Sequence, residues 1–355
     1  MLRIVVMFWW TVRTVTLGKV RSCLKIAKSR ACFWAGGTDM WESFGFEFVN
    51  FYFIPGLVLG CIYALGAIGI TLTFGILRFA NFAHGELMMM GAYLTWTIMA
   101  IATAVLGIAV HPLLAAIPAS IVVIYLFFWT DKFFYKPFRK ADTIKVVMAS
   151  FGMMLILRSA VQVIWGPNQL TFVPGIAKPN PSLLGWSSDI GAMLLIPNKH
   201  LFIFAGTILF VVVLSYILNR TRIGKAMRAV SDSPDLAHVT GIDVDQVIRA
   251  TWIVGGVCAI AAGVFLAMDI QMLETTMGFR MLLPMFAAAI LGGIGKPYGA
   301  VVGGLVIGLS EELSAYPWIG DAPLLSPGYK TGVAFAIMVV MLTVRPQGLF
   351  KGRSF

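Results

Sequence analysis

Long runs without a charged side chain constrain the fold of this chain more than any other feature. Leu201 to Leu218 covers eighteen residues without a charge, and Ala250 to Met268 and Thr331 to Val344 are similar. About 20 apolar residues cross a hydrocarbon core of roughly 30 Å. Such runs span as helices because lipid cannot hydrogen-bond an open backbone, and they lack the period-two alternation of a membrane β-barrel. The sequence therefore predicts an all-α, polytopic membrane helix bundle.

The basic residues lie between these runs, although a net charge of +11 could by itself indicate a nucleic-acid-binding protein. Only 12% of the residues are charged, whereas globular chains carry roughly 25%. Basic residues concentrate in 131–145, 219–249 and the tail 345–353, while 166–200 holds two lysines. The positive-inside rule places the first three segments in the cytoplasm and the last outside. We therefore expect no nucleic-acid partner.

The apolar runs define eight candidate membrane segments. They lie near residues 54–77, 84–104, 113–130, 146–165, 201–219, 250–270, 282–313 and 330–345. Segment 282–313 is divided by Gly292-Gly293-Ile294-Gly295-Lys296-Pro297, and each flank has only about 12–15 apolar residues, too few for a comfortable full span. We predict a broken or re-entrant helix there and about 8–10 crossings in all. The segment 311–329 is placed outside, and its residues Glu311, Glu312 and Asp321 suit a surface that faces an external partner.

Residues 1–48 differ from the rest of the chain, because a short apolar stretch precedes a series of basic residues. A secretory signal peptide has the opposite order. Two interpretations remain: a basic N-terminal leader in the cytoplasm, or a leader that is not translated because synthesis starts at Met40. We favour the second. Residues 49–355 are then predicted to form a single transmembrane domain with a cytoplasmic loop at 220–249.

A polar stretch interrupts the apolar pattern between the first two segments, where Asn81, His84, Gly85 and Glu86 occur within six residues. In one interpretation Asn81 caps the next helix, and Glu86 in its first turn favours the helix dipole. In the other, the stretch is a polar helix break that lines a translocation path, since ionisable groups at membrane depth are usually functional. The two interpretations are compatible.

The loop 220–249 predicts a short cytoplasmic helix. Ser233 suits the N-cap and Pro234 the first helical position, Asp235 favours the positive end of the helix dipole, and Gly241 suits a left-handed C-terminal cap. A helix of about two turns is marginal in water, so it needs a docking surface. That surface is its own chain, the lipid interface, or a groove on a separate ATPase subunit. The residues assigned to coupling with an ATPase are Gly224, Arg228, Asp232, Asp235, Ala237 and Gly241.

Glycines are dense between residues 291 and 308. The pairs Gly299–Gly303 and Gly304–Gly308 have the small-xxx-small spacing that permits close helix contact. Plain helix packing and the lining of a translocation path are both open interpretations of this pattern. The glycines assigned to the path or to a helix break are Gly292, Gly293 and Gly295.

Signatures of a metal enzyme or a P-loop ATPase are missing from the sequence. Gly224-Lys225 continues with Ala226 and Gly295-Lys296 with Pro297, whereas a P-loop requires Ser or Thr after the lysine. The four histidines are scattered and form no H-E-x-x-H pair. No plausible nucleophile–base pair is visible either. We expect neither a catalytic site nor a metal or cofactor of the chain's own.

Four blocks together resemble a known family. They are 56–93 with the core Asn81-Phe82-Ala83-His84-Gly85-Glu86, the stretch 222–242, the block Ala289-Ile290-Leu291-Gly292-Gly293-Ile294-Gly295, and the ending Arg345-Pro346-Gln347-Gly348-Leu349-Phe350. They resemble the LivH-type permease subunits of branched-chain amino acid ABC importers, over residues 50–355. The leader 1–48 has no counterpart, which favours a start at Met40.

The resemblance implies a multi-pass protein of the bacterial inner membrane, and it implies partners. These would be a second, related permease, two cytoplasmic ATPase subunits that bind the ATP, and a periplasmic binding protein that selects the solute. The stretch 224–242 would be the coupling loop. Besides branched-chain or other amino acids, urea and short amides are possible solutes. An ion-coupled secondary transporter is a further alternative, for which Glu86 and Asp269 are the candidate carboxylates.

Overall fold

A computed structural model describes residues 48–107, 110–139, 141–172, 182–187, 193–317 and 326–350. The predicted leader, apart from its last residue, and the proposed start at Met40 lie outside this part of the chain. The described residues fall into two compact units. Residues 48–51 and the described part of Leu184–Leu195 belong to the smaller unit, and the remainder belongs to the larger unit, which carries every site discussed below.

The described residues are almost entirely helical, as the apolar pattern predicts. The α-helices are α1 (Ile54–Leu77), α2 (Ala83–Leu106), α3 (Pro112–Thr130), α4 (Thr143–Trp165), α5 (Asn198–Arg220), α6 (Arg222–Asp232), α7 (Pro234–Val239), α8 (Val244–Ile270), α9 (Met277–Gly292), α10 (Pro297–Ser314) and α11 (Lys330–Val344). A π-helical turn, Val49–Phe53, precedes α1, and a second one, Asp131–Tyr135, extends α3 into a last α-helical turn at Lys136–Phe138. A 3-10 turn, Pro327–Tyr329, precedes α11.

Four short strands complete the described elements: β1 (Leu170–Thr171), β2 (Ser182–Ser187), β3 (Met193–Pro197) and β4 (Met272–Leu273). β1 pairs antiparallel with β4, so that Leu170 lies opposite Leu273. β2 pairs with β3 in a second two-stranded sheet.

The helix lengths confirm the polytopic membrane bundle. In the described residues, six segments are long and apolar enough to cross a membrane: those built on α1, α2, α3, α4, α5 and α8. α9 and α11 are shorter apolar helices. The predicted break in segment 282–313 is present, because α9 ends at Gly292 and α10 begins at Pro297. With 16 and 18 residues, these two helices are about 24 and 27 Å long, so they form an antiparallel hairpin of nearly full spans.

The most buried helices are α1 and α8, which form the centre of the larger unit. Glycines bring α1 close to α10: a Cβ atom built on Gly60 would lie 2.8 Å from the Cα of Leu305, and one on Gly304 would lie 2.6 Å from the Cα of Ala64. The plain packing interpretation of the glycine pattern therefore holds for Gly304. The outer faces of α3 and α5 expose apolar side chains such as Ile121 and Ile208, as lipid requires.

The basic segments meet at one end of the bundle, which we call the basic end. Arg139 donates to the carboxylates of Asp131 at 2.7 Å and of Asp245 at 2.8 Å, and thereby joins the segment after α3 to the start of α8. The tail reaches the same end, since the amide of Leu349 donates to the carbonyl of Leu291 near the end of α9. The β1–β4 pair lies at the opposite end. This arrangement agrees with the topology deduced from charge, in which the basic end is cytoplasmic.

The prediction that Glu311 and Glu312 face an external partner is wrong, and Asp321, the third acidic residue of that prediction, lies outside the described residues. α10 continues through both residues, and Glu311 is buried, where it accepts a hydrogen bond of 2.7 Å from the hydroxyl of Tyr63. Glu312 pairs with Lys330 at the start of α11, at 2.7 Å. These carboxylates fasten α10 to α1 and α11, because a buried carboxylate must find a partner within the protein.

Candidate functional site

The connection between α1 and α2 is a non-helical stretch whose backbone is satisfied by side chains. Asn81 is buried, and its Oδ1 accepts from the amide of Ala83 at 3.1 Å and from the hydroxyl of Tyr135 at 2.8 Å. The hydroxyl of Ser150 donates to the carbonyl of Ala80 at 3.2 Å and accepts from the amide of Phe82 at 3.4 Å. The N-cap of α2 is Phe82, so the predicted capping residue Asn81 lies one position earlier, although its oxygen does accept from the first helical amide, that of Ala83. These bonds make a break tolerable at membrane depth.

This break lies inside the bundle, not at its surface. The ring of His84, in the first turn of α2, is so close to Gly69 that a Cβ atom there would lie 2.5 Å from the ring carbon Cε1. Gly69 precedes the end of α1 by eight residues, which is about 12 Å along a helix. α2 therefore begins well inside the membrane depth. His84 itself is fully buried and packs near the ring of Phe127, the environment of a packing residue.

Gly85 and Glu86 lie where α2 meets the start of α9. A Cβ atom on Gly85 would overlap the carbonyl of Gly278, so that only a glycine permits the two backbones to approach this closely. Glu86 has no exposed surface, and neither of its carboxylate oxygens has a hydrogen-bond partner among the described residues. Arg158 of α4 lies near the same place, because its guanidinium is 5.7 Å from the centre of the ring of Phe279, the residue after Gly278. The sequence interpretation overlooked Arg158, although a single charge within an apolar segment is a recognisable signal.

The glycines Gly292, Gly293 and Gly295 form the turn between α9 and α10, at the basic end. Gly293 and Gly295 have φ angles of 101° and 85°, which side chains with a Cβ rarely adopt. The tail packs onto this turn, since a Cβ atom on Gly348 would lie 2.5 Å from the Cα of Gly293. Gly293 and Gly295 are therefore required by the geometry of a tight turn, and Gly292 by the close approach of α9 to Gly299 of α10.

The predicted short helix is α7, and its caps are as expected. The hydroxyl of Ser233 accepts from the amide of Leu236 at 3.4 Å, and Pro234 is the first helical residue. At the other end, Gly241 has a φ of 84°. The amide of Ile242 donates to the carbonyl of Ala237 at 3.1 Å, and that of Gly241 to His238 at 3.0 Å. This bond pair is a Schellman cap.

A second cytoplasmic helix, α6, precedes α7 and was not predicted. Its N-cap is Thr221, whose hydroxyl accepts from the amide of Gly224 at 3.1 Å. Gly224, Met227 and Val230 are buried on one face, and this spacing of three is a helical signal that the sequence contained. Gly224 is pressed against the end of α5, where a Cβ atom would overlap the carbonyl oxygens of Ile217 and Leu218.

The residues assigned to coupling divide into two groups. Gly224 and Ala237 are buried within the chain, whereas Arg228, Asp232, Asp235 and Gly241 are exposed. The most exposed apolar side chains of this region are Leu236 and Val239, which show 64% and 82% of their surface. They are three residues apart and therefore share one face of α7. The sequence interpretation did not single them out.

The side chain of Asn219 connects α6 to two membrane helices, α5 and α10. Arg228 donates to Asn219 of α5 at 3.4 Å, and Asn219 donates to the hydroxyl of Tyr298 of α10 at 2.5 Å. Beside this chain of bonds lies a cavity of about 260 Å³, lined by α1, α5, α6 and the α9–α10 turn. At its wall, a Cβ atom on Gly75 would lie 3.4 Å from the Cα of Gly295 and 3.5 Å from the hydroxyl of Ser231.

Comparison with known proteins agrees with this architecture. Residues 52–342 match the family model described as branched-chain amino acid transport system / permease component. The chain is 33% identical over 297 residues to the high-affinity branched-chain amino acid transport system permease protein LivH of Escherichia coli strain K12, covering 83% of this chain and 92% of that protein. It is 33% identical over 299 residues to the corresponding protein BraD of Pseudomonas aeruginosa, covering 83% and 94%. A probable LivH permease of Methanocaldococcus jannaschii is 28% identical over 299 residues, covering 80% and 86%.

Proposed function

Because the chain belongs to the family of branched-chain amino acid transport permease components, we propose that it forms the membrane path of an ATP-driven importer of branched-chain or related amino acids. It is a multi-pass protein of the inner membrane. The relatives named above are described as permeases for branched-chain amino acids, and this supports the same class of solute here.

The proposed assembly contains more than this chain. A second, related permease forms the other half of the path, two cytoplasmic ATPase subunits bind and hydrolyse ATP, and an external binding protein delivers the solute. The lack of a P-loop lysine followed by Ser or Thr in the sequence supports the assignment of ATP to separate subunits. The chain then needs no cofactor of its own.

The observation that carries this proposal is the exposed apolar face of α7. Leu236 and Val239 project from a helix of six residues at the basic end. A helix this short is not stable alone, and apolar side chains gain roughly 25 cal/mol per Å² when a surface covers them. A helix that lays apolar anchors into a groove is a recurrent mode of recognition. The groove belongs to an ATPase subunit, and α6–α7 is the coupling element.

A movement of α6–α7 can be transmitted to the membrane helices through side-chain contacts. The bonds from Arg228 through Asn219 to Tyr298 connect α6 with the first turn of α10, and Ser231 borders the cavity beside the α9–α10 turn. We assign the alternating-access step to this connection: closure of the ATPases displaces α6, and the membrane helices rock around the solute. The two states must differ in their contacts for ATP to favour one of them.

Replacement of Val239 by Arg tests the docking role. We expect ATP-driven uptake of L-leucine to fall at least tenfold in proteoliposomes that contain the complete assembly, because a charge replaces an apolar anchor. Val239 is 82% exposed, so the chain itself should insert normally. Ala237→Arg would be less informative, because Ala237 is buried and its replacement also disturbs packing.

The matched control is Ile144→Arg, a similar change at a residue that is 72% exposed, outside α6–α7 but at the same end of the bundle. It should retain uptake within about twofold and should still capture the ATPase subunits in detergent. Normal uptake by Val239→Arg, or equal losses in both variants, would refute the docking role of α7.

Two alternative functions, an importer of urea or short amides and an ion-coupled transporter, are distinguished by experiment. An importer of urea or short amides would depend on a binding protein for that solute, and direct binding measurements on that protein decide between the two solute classes. An ion-coupled transporter would move solute without ATPases, driven by an ion gradient across liposomes that contain this chain alone. Of its two candidate carboxylates, Asp269 is already paired with Lys199 at 3.3 Å and with His200 at 3.2 Å, which disfavours it as an ion site.

A further inference from the structure

Arg158 is a charged residue inside a membrane helix, and no described residue neutralises it through an ion pair or a hydrogen bond. It lies in α4, seven residues before the end of that helix at Trp165, or about 10 Å below that end. Its side chain is half-buried, and its guanidinium lies 5.7 Å from the centre of the ring of Phe279 on α9. Phe279 is itself 48% exposed.

Lipid cannot cover this face of the bundle. An arginine at the centre of a membrane helix costs about 2.5–3.5 kcal/mol on insertion scales and almost always faces protein or a water-filled cavity. Elsewhere the exposed side chains of α3, α4 and α5 are mostly apolar, for example Ile121, Met148 and Val212, so Arg158 departs from the lipid-facing pattern. The face between α4 and α9 therefore lines the aqueous path or meets the second permease.

Glu86 lies close to this face between α4 and α9, on a third helix, α2. α2 packs against both α4 and α9, and Glu86 is adjacent to Gly278 of α9. Its carboxylate has no exposed surface and no hydrogen-bond partner in the described chain. Arg158 reaches the same place, since its guanidinium lies beside the ring of Phe279, the residue after Gly278. Glu86 and Arg158, whose side chains carry opposite charges, thus face one region without forming an ion pair with each other.

We propose that Arg158 and Glu86 form a binding site for the head group of a zwitterionic α-amino acid on the translocation path. The guanidinium takes the solute carboxylate, since its fork geometry matches two carboxylate oxygens, and Glu86 takes the ammonium group. The inference rests on the proposed importer. In this structure α9 covers Glu86 through the Gly85–Gly278 contact, so the ammonium group reaches Glu86 in a state in which α9 has moved away from α2.

The surroundings suit an apolar solute side chain. Phe151 lies two turns from Arg158 on α4, and Phe286 lies two turns from Phe279 on α9, both toward the basic end. The ring of Phe82, at the start of α2, joins them: its centre is 6.2 Å from that of Phe151 and 5.5 Å from that of Phe286. An aliphatic side chain that follows the head group meets this aromatic surface, which polar urea would not use.

The first test needs no substitution. Saturation-transfer NMR on the permease–ATPase assembly, without the external binding protein, compares three solutes with the same side chain: L-leucine, L-leucinamide and 4-methylpentanoate. Leucinamide lacks the carboxylate and 4-methylpentanoate lacks the ammonium group. We expect L-leucine to bind at least tenfold more tightly than either analogue, because each analogue leaves one buried charge without its partner. Equal binding of all three would overturn the proposal.

Single substitutions then assign the two contacts. Arg158→Gln should abolish the discrimination between leucine and leucinamide, whereas Glu86→Gln should abolish that between leucine and 4-methylpentanoate. We call this the crossed pattern: each substitution abolishes one discrimination and leaves the other intact. A residue with only a structural role would not produce it. Arg280→Gln is the matched control, because Arg280 is 63% exposed at the same end and pairs with Glu274 at 2.9 Å. It should change neither ratio.

The remaining outcomes separate this inference from the proposed function. If the wild-type assembly with its binding protein takes up no amino acid, the proposed function and this site fail together. If it takes up L-leucine and the crossed pattern is missing, only the site fails. If Arg158→Gln loses the second permease while the remaining assemblies still discriminate, Arg158 pairs with that subunit and the proposal is overturned.

Discussion

The contact between α1 and α10 predicts how two chemically identical substitutions differ. In Gly304→Ala, the new methyl group would lie 2.6 Å from the Cα and 2.9 Å from the Cβ of Ala64, whereas ordinary contacts begin at 3.4 Å. The methyl group would also overlap the backbone nitrogen of Ala64, its nearest neighbour, so α1 and α10 must separate locally by about 1 Å. In Gly152→Ala, inside α4, the new methyl group meets no atom within 4 Å.

The two variants share one energy term and differ in another. Alanine is favoured over glycine inside a helix by about 0.8–1 kcal/mol, and both variants gain this amount. Overpacking costs typically about 1–3 kcal/mol and applies to Gly304→Ala alone. Gly152→Ala should therefore be more stable than wild type, and Gly304→Ala should be less stable than Gly152→Ala by about 1–3 kcal/mol.

Reversible unfolding in mixed detergent micelles measures this difference directly as a change in the free energy of unfolding. The helix-propensity term cancels between the two variants, so their difference reports the close approach of α1 and α10. Equal stabilisation of both variants would show that the helices are not in contact at Gly304, and the register of the whole α1–α10 pair would then be refuted.

Two further predictions concern the polar break and the link to α6. Asn81→Ala leaves two buried donors without an acceptor, at about 1–3 kcal/mol each. Tyr135→Phe loses only one bond, worth about 0.5–1.5 kcal/mol, so Asn81→Ala should lower the free energy of unfolding more. Equal losses in the two variants would contradict the double role of the Asn81 oxygen. Asn219→Ala removes the bridge between α6 and α10. In the complete assembly, we expect at least a threefold fall in the number of solute molecules taken up per ATP hydrolysed. An unchanged ratio would exclude this bridge as a route of coupling.

Local chemistry made part of the fold predictable from sequence. Ser233, Pro234 and Gly241 act on backbone groups within a few residues of themselves, so their roles in α7 follow from the sequence alone. The break between α9 and α10 was predictable for the same reason, since Gly293 and Pro297 cannot continue a helix favourably. α6 was missed, even though its buried face of Gly224, Met227 and Val230 repeats with helical spacing.

Features that depend on distant packing could not be deduced from sequence. Counting crossings placed Glu311 outside, because the sequence does not reveal that Tyr63, 248 residues away, provides its hydrogen bond. The depth at which α2 begins depends on the fit of His84 beside Gly69, which is a property of two helices together. The relation of Glu86 to Arg158 is likewise tertiary, so the sequence offered Glu86 as a site residue without its counterpart.

The glycine contacts also decide which parts of the bundle can move separately. Where backbones touch without intervening side chains, as at Gly304 and at Gly299, sliding by a fraction of an ångström produces overlap, because closely packed interfaces are bistable and not continuously deformable. α1, α9 and α10 are therefore expected to move as one body. α6, in contrast, borders a cavity of about 260 Å³ beside that body and contacts it through side chains, at Ser231 beside Gly75 and through Asn219 to Tyr298. On the proposed mechanism of coupling, we therefore expect the flexible joint to lie at this cavity, and a displacement of α6 to rotate α1, α9 and α10 together.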